Sequence, residues 1–161
     1  MRSFLEWSFV LVVCFILIAM SLPNFISCGP RSPLADVKSN MHTFQTILET
    51  YSVDASGKYP KNVEELYKFA NTGNNKYWKN FKNPYANKSG KSVSYDNYSN
   101  LNKKIITHFF SKDSYVLQGR PGVVYYAPVI GSNNYCIYGS NKDGELITDT
   151  QSGIAFALSN N

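Results

Sequence analysis

The sequence predicts an α+β fold. A long N-terminal helix, membrane-spanning in its first half and amphipathic in its second, is broken near residues 29–33 and packs on a small C-terminal antiparallel sheet. Three observations predict it. No charged residue stands between Glu6 and Arg31, and the run from Trp7 to Leu22 is almost wholly apolar. Leu34, Val37, Met41, Phe44, Leu48 and Tyr51 recur at spacings of 3, 4, 3, 4 and 3, the repeat of one helix face. Beyond residue 93 the chain changes to short β-branched and aromatic runs separated by Gly, Asn and Asp.

The first segment, residues 1–28, reads as a transmembrane or bundle-core helix, because a crossing needs roughly 20 mostly apolar residues and the run is apolar on every side. Pro23 is expected to kink it. Gly29-Pro30-Arg31-Ser32-Pro33 interrupts the helix, and Ser32-Pro33 restarts it as an N-cap followed by proline. Residues 29–161 form the head. Its stem helix is expected over 33–55, with Gly57 as the stop. A shorter helix over 62–70 begins at Asn62 with Glu65 three residues on, in a pattern like a capping box, and turns Val63, Leu66 and Phe69 inward. Residues 72–90 are irregular, with turn signals at Asn83-Pro84-Tyr85 and Ser89-Gly90. Strands are expected at 93–98, 115–118, 123–128, 135–139 and 145–148. The hairpin Gly131-Ser132-Asn133-Asn134 and the tight turn Asp143-Gly144 join the last three.

Composition narrows the functional classes. The chain is 43% hydrophobic, but much of that lies before residue 29, which leaves a polar head with one modest core. Net charge is +5, and the excess is local: eleven lysines lie between Lys58 and Lys112, against Glu64, Glu65 and Asp96. Such a segment, 58–112, is a candidate contact for DNA or another anionic polymer, although a solvated Lys-rich face reads the same way. His42 and His108 have no metal-ligand or catalytic spacing to a cysteine or carboxylate, so no enzyme is expected. Cys14 reads as a small apolar residue. Cys28 and Cys136 are a candidate disulfide if both lie outside the cytoplasm. Asn141, Asp143 and Glu145 around Gly144 place oxygens at alternating positions, as a calcium loop does, and a turn without metal reads equally from the same residues.

The N-terminal half resembles type IV pilins and type II secretion pseudopilins. Glu6 and Pro23 stand 17 residues apart, the family spacing, and Leu22-Pro23-Asn24-Phe25 matches its context. Val37-Lys38-Ser39-Asn40 and Gly57-Lys58-Tyr59-Pro60 are similar to family stems in the same register. Asn83-Pro84-Tyr85, Gly122-Val123-Val124-Tyr125-Tyr126 and the 135–144 ending resemble the heads more weakly. The resemblance implies a pilin-like fold and a structural subunit of a pilus-like filament, either a secretion pseudopilin close to the major type or a type IV minor pilin. Glu6 would pair with the α-amino group of a neighbouring subunit and so set the axial register, and Pro23 would loosen the helix on assembly. The expected partners are copies of itself, related subunits, an inner-membrane assembly platform and membrane lipid. The expected location is the cytoplasmic membrane, single-pass, with the head outside. A structural calcium is the only cofactor the resemblance suggests. Counting back from Glu6 sets the mature start at Arg2, which implies either translation from upstream of Met1 or an unprocessed relative. Two other readings stay open: a membrane-tethered binding module that never polymerises, and an exported lipoprotein anchored at Cys28, for which Phe25-Ile26-Ser27-Cys28 loosely resembles a lipobox.

Overall fold

The computed structural model describes residues 2–26, 32–72, 76–106, 114–129, 133–149 and 151–160. The chain divides into two compact units, Met1–Ser32 and Pro33–Asn161. The first holds the helix α1 (Arg2–Ile26). The second is α+β, with α2 (Pro33–Asp54), α3 (Val63–Asn71), the single turn α4 (Lys91–Ser94) and, among the described residues, eight short strands.

This arrangement corrects the expected long N-terminal helix with a membrane-spanning half. α1 and α2 belong to separate units. Among the described residues no helix is long and apolar enough to cross a membrane. The transmembrane prepilin-type segment and the single-pass membrane location inferred from it are therefore withdrawn. Of the expected break at 29–33, residues 29–31 lie outside the described residues. Pro23 sits within the helical backbone of α1.

In the second unit, α2 buries Val37, Met41, Phe44, Ile47, Leu48 and Tyr51. Ile47 joins the predicted stripe, while Leu34 at its start is exposed, because the buried face is wider than a strict 3-4 repeat and begins one turn later. After α2, the Gly57 N–H returns to the Ser52 carbonyl at 2.7 Å and closes the helix end. α3 begins at Asn62, whose side chain accepts from the Glu65 N–H at 2.8 Å. The Glu65 carboxylate reaches back to the Lys61 N–H (2.7 Å) and takes the Tyr51 hydroxyl (3.3 Å), which ties α3 to α2. Val63 and Leu66 are buried, but Phe69 is 41% exposed and rests edge-on against Tyr51.

The main sheet is mixed, not antiparallel. It comprises β3 (Tyr95–Asn97), β6 (Val124–Pro128), β7 (Tyr135–Gly139) and β8 (Ala157–Ser159), in the order β3-β6-β7-β8. β3 runs parallel to β6, with Tyr95 opposite Val124, and the other pairs are antiparallel. A parallel pair needs a long connection between its strands. Here that connection carries a 3-10 turn (Tyr98–Asn100) and a separate hairpin, β4 (Asn102–Ile106) with β5 (Ser114–Gln118). The expected strand at 93–98 is cut short because residues 91–94 coil into α4. The expected strand at 145–148 makes only isolated bridges, among them Gln118 to Glu145 and Thr148 to Ala155. The two remaining strands, β1 (Lys82–Asn83) and β2 (Lys88–Ser89), pair across the Asn83-Pro84-Tyr85 turn. Of the 131–134 hairpin, residues 131 and 132 lie outside the described residues.

α2 lies across β6 and β7. Gly139 allows the approach: a Cβ there would fall 2.7 Å from the Met41 Sδ and 2.8 Å from the Val37 Cγ1. The core between the layers is aromatic. Phe44 packs 5.1 Å from Tyr95 and 6.1 Å from Tyr126, and Tyr95 also meets Trp78 and Phe81. Most core tyrosines keep a polar tip satisfied. Tyr126 donates to the Pro60 carbonyl at 2.7 Å and Tyr95 to the Lys79 carbonyl.

These tyrosines set an alkaline limit on stability. Burial raises Tyr95, Tyr126 and Tyr135 well above the ordinary tyrosine range and pushes Tyr138, which also faces the Cys136 thiol, up to about 12. An unfolded tyrosine ionises near 10. The folded chain therefore holds protons that the unfolded chain has released, so this contribution is full below about pH 10 and is lost as pH rises towards the folded values. The urea midpoint is expected to fall steeply above about pH 10, with tyrosinate absorbance appearing together with unfolding. Titration of all tyrosines at about pH 10 in a still-folded chain would contradict this.

Candidate assembly surface

α1 presents a nearly continuous apolar surface. Phe4, Trp7, Phe9 and Phe15 are each at least 70% exposed, and Leu11, Val12, Ile16, Leu17 and Ile18 are exposed between them. A helix that is apolar on all sides loses stability in water and gains it when buried among other helices. Glu6 is exposed at its start and is the one charge in the run from Glu6 to Ala19. Cys14 carries a free, exposed thiol on the same helix.

The other predicted positions lie in the second unit or outside the described residues. Cys136 is a half-buried free thiol on β7, and Cys28 lies outside the described residues, as does His108. Of the candidate calcium oxygens, the Asn141 Oδ1 closes a turn with backbone N–H groups. The Asn141 Oδ1 accepts the N–H groups of Asp143 (2.8 Å) and Glu145 (3.0 Å). The Asn141 N–H donates to the Glu145 carbonyl at 2.8 Å. Gly144 takes the left-handed conformation at φ +79°, and a Cβ on it would meet the Gly119 carbonyl oxygen at 2.2 Å. Among the described residues no group of three His, Cys, Asp or Glu side chains converges to hold a metal. In the Lys-rich segment, Lys91 pairs with Glu64 and sits 4.7 Å over the Tyr67 ring. Nearby, Arg120 pairs with Asp96 at 2.9 Å.

Three features escaped the sequence reading. Asn83 is 1% exposed and makes four hydrogen bonds: it donates to the Val93 and Pro121 carbonyls (2.9 and 2.8 Å) and accepts from the Tyr85 and Ala86 N–H groups (3.0 and 3.1 Å). The turn signal at Asn83-Pro84-Tyr85 marked the place but not its buried centre. Glu49, on α2, receives the hydroxyls of both Tyr59 (2.8 Å) and Tyr135, a long-range pairing that no local pattern announces. The third is a row of threonines on α2, Thr43, Thr46 and Thr50, whose hydroxyls donate to the carbonyls four residues back.

The described side chains thus separate into an exposed apolar helix and a head whose buried polar groups are mostly satisfied within the fold. No family model matches this chain, and neither curated proteins nor solved structures give a match.

Proposed function

We propose that this protein is a structural, non-catalytic subunit of a pilin-like filament, assembled by packing α1 against α1 of other copies. The observation that carries the proposal is the exposed apolar surface of α1. Burying one large apolar side chain is worth about 1.5–3 kcal/mol, and α1 offers many along one helix. The register of Glu6, Pro23 and the stem, with its resemblance to pilins, supports the same reading. Glu6 would enter the bundle with the helix. An unpaired charge there costs several kcal/mol, so Glu6 favours the one stagger that brings a neighbour's cation to it.

Glu6→Ala is expected to leave the head folded, with an unchanged thermal midpoint, and to remove the chain from filaments. The check is the amount of the variant in sheared filaments when it is co-expressed with the wild-type chain. Incorporation at the wild-type level would show that Glu6 does not set register.

A further inference from the structure

Between Glu65 and Asp96 the chain holds six lysines and no acid, and five of them stand at 76, 79, 82, 88 and 91. The fold sorts this stretch into an inner and an outer side. Trp78 and Phe81 pack 4.7 and 4.2 Å from the Tyr95 ring, in the core. Lys76, Lys79, Lys82 and Lys88 are left exposed, and none has an ion-pair partner among the described residues. The fifth, Lys91, is held by Glu64.

The backbone beneath the lysines is fixed. The Tyr77 N–H donates to the Ala70 carbonyl (3.2 Å), the Tyr95 hydroxyl to the Lys79 carbonyl, and the Asn40 amide to the Lys82 carbonyl (3.1 Å). Tyr77 lies near Tyr51, and Lys82 lies beside Asn40. Residues 77–82 therefore run back along α2, with a groove of about 430 Å³ between the two. The helix from Asn40 to Tyr51 and an extended chain from 77 to 82 both cover about 16 Å, so this segment is extended. Lys76, Lys79 and Lys82 then follow one another about every 10 Å, and Lys88, opposite Asn83 on the β1–β2 pair, continues the strip.

Carboxylates are kept off it. No residue lining the groove is acidic. Glu49 on α2 takes the Tyr59 and Tyr135 hydroxyls, and Asp96 pairs with Arg120. Asp36, one turn before Asn40, Asp54, near Tyr77, and Asp143, near Tyr85, stand at its borders.

An uncompensated row of cations fits a polyanion, and three features choose among polyanions. Among the described residues, none of the large exposed apolar side chains lies between 76 and 91, so the strip lacks the apolar face that a lipid surface takes up. Trp78 and Phe81 are packed inward, so it lacks the stacking platform of single-strand binders. The interval of about 10 Å equals three phosphate steps along one strand of a duplex, at about 3.4 Å each. Lysine is a point charge without the fork of arginine, so such a contact reads no base sequence.

We propose that this lysine strip binds the phosphate backbone of duplex DNA without sequence preference. The inference does not depend on assembly through α1.

The test is fluorescence anisotropy of a short labelled duplex titrated with the full chain at several salt concentrations. Unlabelled duplex, single strand and polygalacturonate serve as competitors, and phosphatidylserine vesicles are assayed in parallel by co-sedimentation. With four lysine contacts, affinity is expected to fall about 100-fold between about 50 and 200 mM salt. The double variant Lys79→Gln, Lys82→Gln is expected to bind at least about tenfold more weakly at low salt and to lower the slope of log affinity against log salt by about 2. Its thermal midpoint is expected to be unchanged, because both side chains are exposed. Lys38→Gln, whose ammonium lies 4.7 Å over the Phe156 ring outside the strip, is expected to leave the slope as it is. Duplex is expected to compete better, per charge, than single strand or polygalacturonate. The proposal is overturned by no duplex binding at low salt, by a slope unchanged in the double variant, or by an equal change in Lys38→Gln. Equal or better competition by single strand or polygalacturonate would also overturn it, as would vesicle binding that depends on Lys79 and Lys82 more than duplex binding does.

Discussion

Replacing Asn83 with leucine is expected to destabilise the head by about 3–5 kcal/mol, at the upper end of single-substitution effects. Leucine keeps the number and branching of side-chain heavy atoms, so the loss is chiefly of polar pairing, with its bulkier, non-planar methyl groups adding strain at a tight site. The amide of Asn83 ties three separate pieces of chain: the 84–86 turn through two N–H groups, the end of α4 through the Val93 carbonyl, and the Pro121 turn that leads into β6. Without it, backbone groups around a fully buried position lose their partners, each at about 1–3 kcal/mol. Gly122 fits against the same side chain, since a Cβ there would stand 2.4 Å from the Asn83 Oδ1. Asn83→Asp keeps the acceptor but turns a carboxylate towards two carbonyls, so it is not expected to rescue. Urea unfolding of the three chains measures the difference. A loss below about 1 kcal/mol for Asn83→Leu would mean that the loop is held by its other contacts.

The second large effect is on assembly. Leu11→Lys places a charge in the middle of the exposed apolar run of α1. In the isolated chain the substitution is neutral, because the side chain already faces solvent. In a packed bundle it buries an unpaired ammonium, which costs several kcal/mol per subunit, repeated along the filament. The variant is therefore expected to match the wild type in thermal midpoint and to stay monomeric at concentrations where the wild type associates. Sedimentation velocity separates the two outcomes. Equal self-association would place the contact elsewhere on the molecule.

What the sequence made legible follows from local physics. The spacing of Val37, Met41, Phe44, Leu48 and Tyr51 located α2, because a buried helix face must repeat every three to four residues. Asn62 and Glu65 marked the start of α3 through a capping interaction made within one turn. The run of Val, Tyr and Ile in 123–128 and 135–139 marked two central strands. Features fixed by distant partners were not legible. The parallel pairing of β3 with β6 depends on the path of the chain between residues 98 and 123, and nothing in Tyr95-Asp96-Asn97 states its direction. β8 is an edge strand of only three residues, Ala157–Ser159, too short to carry a period. Residues 145–148 alternate like a strand, yet the turn closed by Asn141 holds them in isolated bridges.

The site was legible in a different measure. The uncharged run after Glu6 singled out α1 and its one acid, but reading that run as a bilayer crossing went further than the described helix supports. Asn141, Asp143 and Glu145 looked like cation ligands because their spacing allows it, and the same spacing serves a turn in which Asn141 is already satisfied by backbone. The groove between α2 and Tyr77 left no mark, because its walls come from two separate segments, residues 39–50 and 77–79, and its threonines read simply as the polar side of an amphipathic helix.

Whether α1 drives self-assembly is tested most directly by electron microscopy of the purified full chain at rising concentration, with Leu11→Lys prepared in parallel. The account predicts thin, uniform filaments from the wild-type chain and none from the variant, with both heads folded by circular dichroism. A wild-type chain that stays monomeric, or filaments that form equally well from the variant, would contradict it.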